Sequence, residues 1–415
     1  MGLRPMDRTF GTGKEHTMPV TLAERMNRLS GSPTSALFAR VAELKRRGRD
    51  IISLNVGEPD FGTPDYIKVA GMKAIAENFT KYTPEGGIPE LREAIAKKLK
   101  EDNGVEYAPD EITVSVGAKQ AISSALMVIA GPGDEVLLPI PCWVSYTEMI
   151  RLAGATPVFV PVSEDDCGLD LDAIENAVTP KTKAIVICTP NNPTGAVYSE
   201  ESLRRLAELA VKHDFFIVAD EIYEKLVYDG AEHFSVASVS EDVRDRTITV
   251  NGMSKAYAMT GWRIGYAAAR SDVIKGIVAV QSQTTSAASA ISQMASVAAL
   301  QGPRYDLRDM VAEFQRRKDY VVGRLNTVPG IACPDVKGAF YVFPDVRPCL
   351  GRSFGGRKIG TAVDLCEYLL DEASVAIMPG EAFHVPGKIR ISYSNSMENL
   401  EEAMRRLEKA LTALK

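Results

Sequence analysis

The sequence predicts an α/β fold in which a mostly parallel sheet lies between two layers of helices, together with a smaller α/β domain. From residue 112 onward, short apolar runs alternate with stretches of helical periodicity. The runs are apolar throughout, as is typical of parallel strands that are buried on both faces. At 415 residues the chain is also long enough for two domains. These observations favour a sheet covered by helices, plus a second domain.

The individual elements follow from the periodicity in chain order. Strands are predicted at residues 51–55, 112–116, 135–138, 156–160, 184–188, 216–219, 247–250, 264–269 and 388–393. Helices are predicted after Ser35, which would act as an N-cap, at residues 66–78, 88–102, 118–130, 202–213, 272–300, 304–325 and 362–372, and at the C-terminus. We expect a disordered extension (1–17), an N-terminal arm with part of the smaller domain (18–60), the large domain (61–300) and the smaller domain (301–415).

The composition argues against several classes of function. The 48 basic and 54 acidic residues give a net charge of −6, which argues against a surface for nucleic acid or anionic membranes. No apolar run approaches the ~20 residues that cross a bilayer, and the polar N-terminal segment lacks the features of a secretory signal. The six cysteines are scattered, so neither a disulfide framework nor a metal site is predicted. We therefore expect a cytoplasmic protein that binds no nucleic acid, membrane or metal.

One stretch, residues 251–266, follows a predicted strand and contains Ser254, Lys255 and Arg263. Ligands of parallel sheets bind at the carboxyl ends of the strands, so a lysine in this loop suits a residue that reacts. Its amine could form a Schiff base if it were desolvated. A solvated surface lysine explains this stretch equally well.

Two further strand ends offer groups for an anion and for hydrogen bonding. Gly117, Ala118 and Lys119 lie between a strand and a helix, where free N–H groups and the helix dipole suit a phosphate. Glycine is also common at ordinary turns between a strand and a helix. In residues 188–195, two prolines fix the backbone and leave Asn192 as a positioned amide. A rigid turn is the alternative explanation for this run.

Two charged residues complete the set. Asp220 ends a strongly apolar strand, with Tyr223 three residues later, and a buried carboxylate needs a cationic partner such as a protonated ring nitrogen. An aspartate that caps a helix is the alternative. Arg390 lies in an alternating strand and could bind a carboxylate through two hydrogen bonds, although a lone strand arginine is more often at an edge or on the surface. Together with Lys255, these groups meet the requirements of pyridoxal phosphate acting on amino acids.

Five motifs resemble those of one enzyme family. They are NVGEPDF (55–61), KYTPEGGIPELREAI (81–95), CTPNNPTGAVY (188–198), VADEIY (218–223) and SKAYAMTGWRIGY (254–266). In this order they resemble the class I, fold type I aminotransferases, over a span from about Ser30 to Ala410. The likeness is greatest to the bacterial and archaeal aspartate aminotransferases of the type that often also accepts prephenate.

The resemblance implies a pyridoxal 5'-phosphate cofactor and a role for each matching residue. The catalytic residues would be Lys255, which forms the Schiff base and moves the substrate proton, Asp220, on the ring nitrogen, and Tyr223, on the ring oxygen. The other cofactor contacts would come from Asn192 on the ring oxygen, Trp143 on the ring face, and Ser254, Arg263, Gly117, Ala118 and Lys119 on the phosphate. Tyr82 would reach the phosphate of a neighbouring subunit, which implies a homodimer with shared active sites.

The resemblance also implies how the substrate is held. The α-carboxylate would be bound by Arg390, helped by Asn192 and the Gly57 backbone, and Trp143 would also contact the substrate. The distal carboxylate would be met by Lys119 and by the hydroxyls of Ser32 and Thr34, unless Lys119 is an ordinary lysine that faces solvent. The expected reaction is a ping-pong transfer of an amino group between L-aspartate or L-glutamate and 2-oxoglutarate or oxaloacetate, and whether prephenate also reacts stays open.

Three other functions fit parts of the same pattern. The first is an aminotransferase for aromatic or neutral amino acids, and the second is a pyridoxal phosphate lyase or decarboxylase on the same scaffold. The third is a non-catalytic regulator that senses the cofactor. That third function would need a DNA-binding module, for which the polar N-terminal residues 1–17 are too short.

Overall fold

The computed structural model of the protein describes residues 21–31, 33–164 and 166–415. Its strands are β1 (Ile52–Ser53), β2 (Ile112–Ser115), β3 (Glu135–Ile140), β4 (Thr156–Pro161), β5 (Thr182–Cys188), β6 (Phe216–Asp220), β7 (Thr247–Gly252), β8 (Gly265–Ala268), β9 (Tyr341–Val342), β10 (Ser353–Phe354), β11 (Arg357–Lys358), β12 (Val375–Ala376), β13 (Met378–Pro379) and β14 (Ile389–Ser392). Its α-helices are α1 (Pro33–Arg46), α2 (Asp65–Ala76), α3 (Pro89–Asn103), α4 (Ala118–Ile129), α5 (Ser145–Leu152), α6 (Leu171–Ala177), α7 (Glu200–His213), α8 (Glu241–Arg246), α9 (Ser271–Thr284), α10 (Ala290–Gln301), α11 (Tyr305–Leu325), α12 (Ala362–Tyr368) and α13 (Met397–Thr412).

The largest sheet has seven strands in the order β2-β8-β7-β6-β5-β3-β4. All neighbours are parallel except β8, which runs antiparallel to both β2 and β7. In the centre of the sheet, Cys188 of β5 lies beside Asp220 of β6, and Asp220 lies beside Val250 of β7. The loops that follow these three strands therefore leave the sheet at one edge. The predicted α/β class and the mostly parallel sheet are confirmed.

Helices cover both faces of this sheet because successive residues of a buried strand point to opposite sides. Val218 of β6 packs in a core cluster with residues of α4, including Ala121. Its neighbour Ile217 packs in a second cluster on the other face, with Leu203 and Leu206 of α7. This double burial explains why the strand sequences are apolar throughout.

The N-terminal residues pack against the C-terminal part of the chain. Strand β1 pairs in parallel with β12, with Ile52 opposite Val375. Val41 of α1 shares a small core cluster with Leu370. A separate antiparallel sheet has the order β13-β14-β9. These contacts agree with a smaller domain built from both ends of the chain, although the predicted domain boundaries stay predictions.

Two of the predicted helix limits are wrong. Helix α1 begins at Pro33, whose fixed φ and missing N–H suit a first helical position, so Ser35 lies inside the helix and is not its N-cap. The predicted helix 272–300 is two helices, α9 and α10. Between them Ser286 adopts a positive φ of 58°, and the Ser289 side chain caps α10 by accepting from the Ser292 N–H. Such short hydroxyl side chains compete with the helical hydrogen bonds.

Some expectations concern residues that the structure does not cover. The predicted extension 1–17 and Ser32 lie outside the described residues, and so does the side chain of Thr34. Among the helices that are described, none combines the length and the apolar character needed to cross a membrane.

Candidate active site

A cavity of about 380 Å³ lies where β5, β6 and β7 end and α4 begins. Its walls include most of the residues that the sequence singled out, namely Gly57, Ala118, Lys119, Trp143, Asn192, Asp220, Tyr223, Ser254, Lys255, Arg263 and Arg390. These residues come from separate parts of the chain. They meet because the carboxyl ends of the parallel strands lie at the same end of the sheet.

Lys255 follows β7 and reaches into the cavity. Its Nζ donates a hydrogen bond to the Gly57 carbonyl oxygen at 2.6 Å. Burial lowers the pKa of Lys255 to about 8, and the nearby Arg263 guanidinium acts in the same direction, while the Glu58 carboxylate opposes it. An amine with this pKa is partly neutral at physiological pH and is therefore able to act as a base or nucleophile. The alternative of a solvated surface lysine does not describe this residue.

Asp220 lies at the end of β6 and is only 4% exposed. Its Oδ2 accepts from the Tyr146 hydroxyl at 2.6 Å, and its Oδ1 accepts from the Ile222 N–H at 3.2 Å. Burial raises the pKa of Asp220 to about 6, although both hydrogen bonds lower it. The residues after Asp220 form turns, so the alternative of a helix N-cap does not apply. The carboxylate is a buried anion bonded to neutral donors, which suits a cationic ligand.

Arg390 lies in β14 and is almost fully buried. Its Nη1 donates to Asn192 Oδ1 at 3.0 Å, and its Nη2 donates to the Asn55 carbonyl at 2.7 Å. The guanidinium lies 4.5 Å from the ring centroid of Tyr341. Arg390 is thus not a surface residue, and a buried guanidinium bonded to neutral oxygens is suited to bind a carboxylate.

Tyr223 and Tyr341 form a pair of phenols in the cavity wall, with their hydroxyl oxygens 2.9 Å apart. Tyr341 belongs to β9, in the smaller sheet, so the pair links that sheet to the turns that follow β6. Tyr341 also lies close to the backbone of the 55–61 loop, since a Cβ on Gly57 would be 2.5 Å from its hydroxyl oxygen. The sequence interpretation missed Tyr341, because a tyrosine in a short apolar strand is usually a core residue.

The start of α4 forms a cradle for an anion. Gly117 is the N-cap residue, with a φ of 81°, and a Cβ on it would lie 2.4 Å from Nη2 of Arg263. Arg263 Nη1 donates to the Thr260 carbonyl at 2.9 Å, and the buried Ser254 lines the same wall. Helix N–H groups, a hydroxyl and a guanidinium for which Gly117 leaves room together suit an anion such as a phosphate.

Lys119 is exposed as a residue, yet its amine lies over the ring of Trp143, 4.8 Å from the centroid. Burial of the amine lowers the pKa of Lys119, and the charge of Arg263 adds to this effect. Trp143 is partly buried and packs edge-on against Tyr146, with ring centroids 5.3 Å apart. The cavity wall thus carries a second cation beside an aromatic face.

A buried polar network supports the turns that follow Asp220. Glu224 forms an ion pair with Lys98 and accepts from Asn103 Nδ2 at 2.7 Å. Glu221 accepts from Asn103 at 3.3 Å and from the Ser235 hydroxyl at 2.7 Å. Burial alone would raise the pKa of Glu224, but the Lys98 ammonium lowers it to about 2. The sequence interpretation missed this network, whose members are far apart in the chain.

One predicted site residue lies elsewhere. Tyr82 is 99% exposed and is not part of the cavity wall in this single chain. It lies beside a surface depression formed with residues 287–291.

The chain is similar to aminotransferases over nearly its whole length. The family model of aminotransferase class I and II matches residues 49–407. A probable aspartate/prephenate aminotransferase of Aquifex aeolicus (strain VF5) is 47% identical over 393 residues, which covers 94% of this chain and 98% of that protein. A crystal structure of the aspartate aminotransferase from Rhizobium meliloti has a TM-score of 0.92 at 42% identity, covering 95% and 100% of the two chains. The aspartate aminotransferase from Thermus thermophilus with maleate has a TM-score of 0.89 at 43% identity, covering 94% and 100%.

Proposed function

The chain belongs to the class I and II aminotransferases, and we propose that it transfers amino groups between L-aspartate or L-glutamate and 2-oxoglutarate or oxaloacetate. It is an enzyme of the aminotransferase class. The observation that carries the choice of substrate is the presence of two cations in one cavity, the buried Arg390 and the Lys119 amine over Trp143. Two cations suit a substrate with two carboxylates. The similar Thermus thermophilus structure contains maleate, which is also a dicarboxylate.

Pyridoxal 5'-phosphate is the cofactor we propose, and three features of the cavity support it. Asp220 offers a buried carboxylate whose hydrogen bonds come from neutral groups, as a protonated ring nitrogen requires. Gly117 leaves room for Arg263 beside the start of α4, as a phosphate requires. Lys255 offers an amine with a pKa of about 8, which would suit reaction with an aldehyde group.

The residues would hold the cofactor at each of its polar groups. Asp220 would bind the ring nitrogen, Asn192 and Tyr223 the ring oxygen, Trp143 the ring face, and Ser254, Arg263 and the N–H groups of Ala118 and Lys119 the phosphate. When bound, the cofactor supplies an aldehyde that condenses with amines and a ring that accepts electrons from the substrate Cα.

The reaction then depends on proton movement at Lys255. Its neutral Nζ would take the proton from the substrate Cα, and the burial that lowers the pKa of Lys255 to about 8 favours this neutral form. The Gly57 carbonyl, which accepts from Nζ at 2.6 Å, orients the amine. Arg390 binds the α-carboxylate and so fixes which face of Cα meets the amine.

A panel of amino donors tests the substrate assignment. The Lys119→Ala variant should lower kcat/KM for aspartate and glutamate roughly ten- to a hundredfold, the usual effect of removing one partner of a charged contact. Activity with alanine and phenylalanine should hardly change, because these donors have no distal carboxylate. Lys97→Ala, which removes an exposed lysine on α3, is the matched control.

Two other outcomes of the donor panel would contradict parts of the substrate assignment. Equal losses for aspartate and alanine would contradict a role of Lys119 in side-chain recognition. Preference of the parent enzyme for phenylalanine over aspartate would contradict the dicarboxylate assignment while leaving the aminotransferase class intact. Prephenate belongs in the same panel as an amino acceptor.

A homodimer with shared active sites is part of the proposal. Helix α2 exposes a row of large apolar side chains, Val69, Met72 and Ile75, and the fully exposed Tyr82 follows it. An apolar helix face of this kind suits contact with a second copy. Sedimentation of the protein in solution tests the dimer, and a monomer that retains full activity would contradict the shared site.

We also propose a cytoplasmic location. All six cysteines are free and five of them are buried, which suits a reducing compartment. Fractionation of the native cells tests this location, and recovery of the protein outside the cytoplasm would contradict it.

A further inference from the structure

We propose that Tyr146 is a positioning residue that holds Asp220 ionised and correctly oriented for the cofactor's ring nitrogen. The inference rests on the proposed role of Asp220 in the cofactor site. Tyr146 was not singled out by the sequence, and its hydroxyl donates to Asp220 Oδ2 at 2.6 Å. It would act through Asp220 rather than by touching the reacting atoms.

The Tyr146 hydroxyl is held in place from several directions. The residue is 1% exposed and lies in the first turn of α5. Its N–H donates to the Trp143 carbonyl at 3.0 Å, and its ring meets the Trp143 ring at 87°. The side chain that faces the cofactor ring and the one that bonds Asp220 therefore belong to one rigid unit.

The carboxylate itself is fixed by one donor on each oxygen. Tyr146 bonds Oδ2 and the Ile222 N–H bonds Oδ1. Each carboxylate oxygen accepts more than one hydrogen bond, so both retain a site for a further donor. Two donors from different elements leave the carboxylate little freedom to rotate before the cofactor arrives.

A phenol is a suitable partner because it is neutral. Burial and the charge of Asp220 raise the pKa of Tyr146 well above its usual range, so the proton stays on the phenol. A cationic side chain in this position would satisfy the charge of Asp220 and compete with the ring nitrogen. The neutral hydroxyl stabilises the anion and leaves its full negative charge available to the cofactor.

Other titratable groups also face Asp220 and set its charge. The Lys255 amine lowers the pKa of Asp220, and the neighbouring Glu221 raises it. The Cys188 thiol of the adjacent strand is buried, and burial raises its pKa well above its usual value, so it carries no charge. Among these groups, Tyr146 is a direct hydrogen-bond donor to the carboxylate.

The test is the binding of pyridoxal phosphate to the cofactor-free full-length chain, followed by the absorbance of the cofactor. Tyr146→Phe removes only the hydroxyl. Tyr368→Phe is the matched control, since Tyr368 is equally buried and donates to the Ala410 carbonyl at 2.9 Å, away from the cavity. Tyr146→Phe should weaken binding about ten- to a hundredfold, the range for a hydrogen bond to a charged group, while Tyr368→Phe should bind as the parent does.

The pH dependence separates a charge effect from lost packing. The Tyr146 hydrogen bond lowers the pKa of Asp220, so its removal raises that pKa and leaves more Asp220 protonated at a given pH. The loss of affinity should therefore grow as the pH falls from 8 to 6. A loss of the same size at every pH would overturn the proposal.

A double-mutant cycle separates this inference from the function on which it rests. In the Asp220→Asn background, Tyr146→Phe should cause no further loss, because the group through which it acts is gone. If Asp220→Asn weakens binding but Tyr146→Phe behaves like Tyr368→Phe, the role of Tyr146 is refuted and that of Asp220 stands. If Asp220→Asn binds the cofactor as the parent does, the pairing of Asp220 with the ring nitrogen fails, and the inference fails with it.

Discussion

Replacing Asp220 by asparagine should stabilise the cofactor-free protein while it abolishes turnover. Burial raises the pKa of this carboxyl from 3.8 to about 6, so the folded state holds the proton more tightly than the unfolded chain does. The contribution of this carboxyl to the free energy of unfolding is fully present below about pH 4, and it is lost as the pH rises through about 6. Above that pH the ionised carboxylate costs about 3 kcal/mol of folding free energy. Asparagine does not ionise, so the variant should avoid this loss.

The assay is urea unfolding of the cofactor-free proteins at pH 5, 6.5 and 8, at one fixed protein concentration because association affects the midpoint. At pH 8 Asp220→Asn should be more stable than the parent by up to about 3 kcal/mol, and the difference should shrink towards pH 5. Most point substitutions destabilise, so a gain at a buried site is distinctive.

A carboxylate whose pKa is lowered in the folded protein, rather than raised, serves as the control. Asp102 has ion pairs with Lys225 and Arg304, each at 2.9 Å, and these cations hold its pKa below its usual value. Asp102→Asn should therefore destabilise the protein at pH 8. The reasoning about Asp220 is refuted if Asp220→Asn brings no gain at pH 8, or if its gain is the same at pH 5 and pH 8.

Two further predictions concern Lys255 and the contact between Gly117 and Arg263 at the start of α4. The rate at which the cofactor-free protein binds pyridoxal phosphate should rise with pH up to about 8, because Lys255 becomes neutral there, and should then level off. Stopped-flow absorbance measures this rate, and a rate that still rises steeply above pH 9 would indicate a lysine with an ordinary pKa. Gly117→Ala should weaken the binding of inorganic phosphate and of the cofactor roughly tenfold, because the new Cβ would lie 2.4 Å from Arg263 Nη2 and displace it. Gly104→Ala, at a distant glycine with a positive φ of 69° and open space around its Cβ, is the control in the same calorimetric titration. Equal effects of the two substitutions would contradict a specific displacement of Arg263.

Much of the site was predictable because its residues follow buried parallel strands. The periodicity predicts where β5, β6 and β7 end, and geometry then requires that Asn192, Asp220 and Lys255 meet. No property of the local sequence carries equivalent information for Tyr146 and Tyr341. Their hydroxyls reach the cavity through the packing of a short helix and of a strand in another sheet.

The wrong helix limits have a similar cause. The run from 272 to 300 is rich in Ala, Ser and Gln, whose combined propensity favours one helix. The break at Ser286 depends on a single backbone conformation and on the Ser289 cap. Local propensity is a weak guide where a few hydroxyl side chains offer the backbone an alternative.

The segment from Asn55 to Gly57 has a consequence for the kind of amine the enzyme accepts. Its first carbonyl bonds the guanidinium of Arg390, and the carbonyl two residues later bonds the amine of Lys255. One short stretch of backbone thus contacts both the guanidinium proposed to bind a carboxylate and the amine proposed to react at the neighbouring carbon. An α-amino acid carries its carboxylate and its amine on one carbon, whereas a β- or γ-amino acid separates them further. If Arg390 and Lys255 have the proposed roles, the main-chain spacing of this segment favours α-amino acids over β- and γ-amino acids.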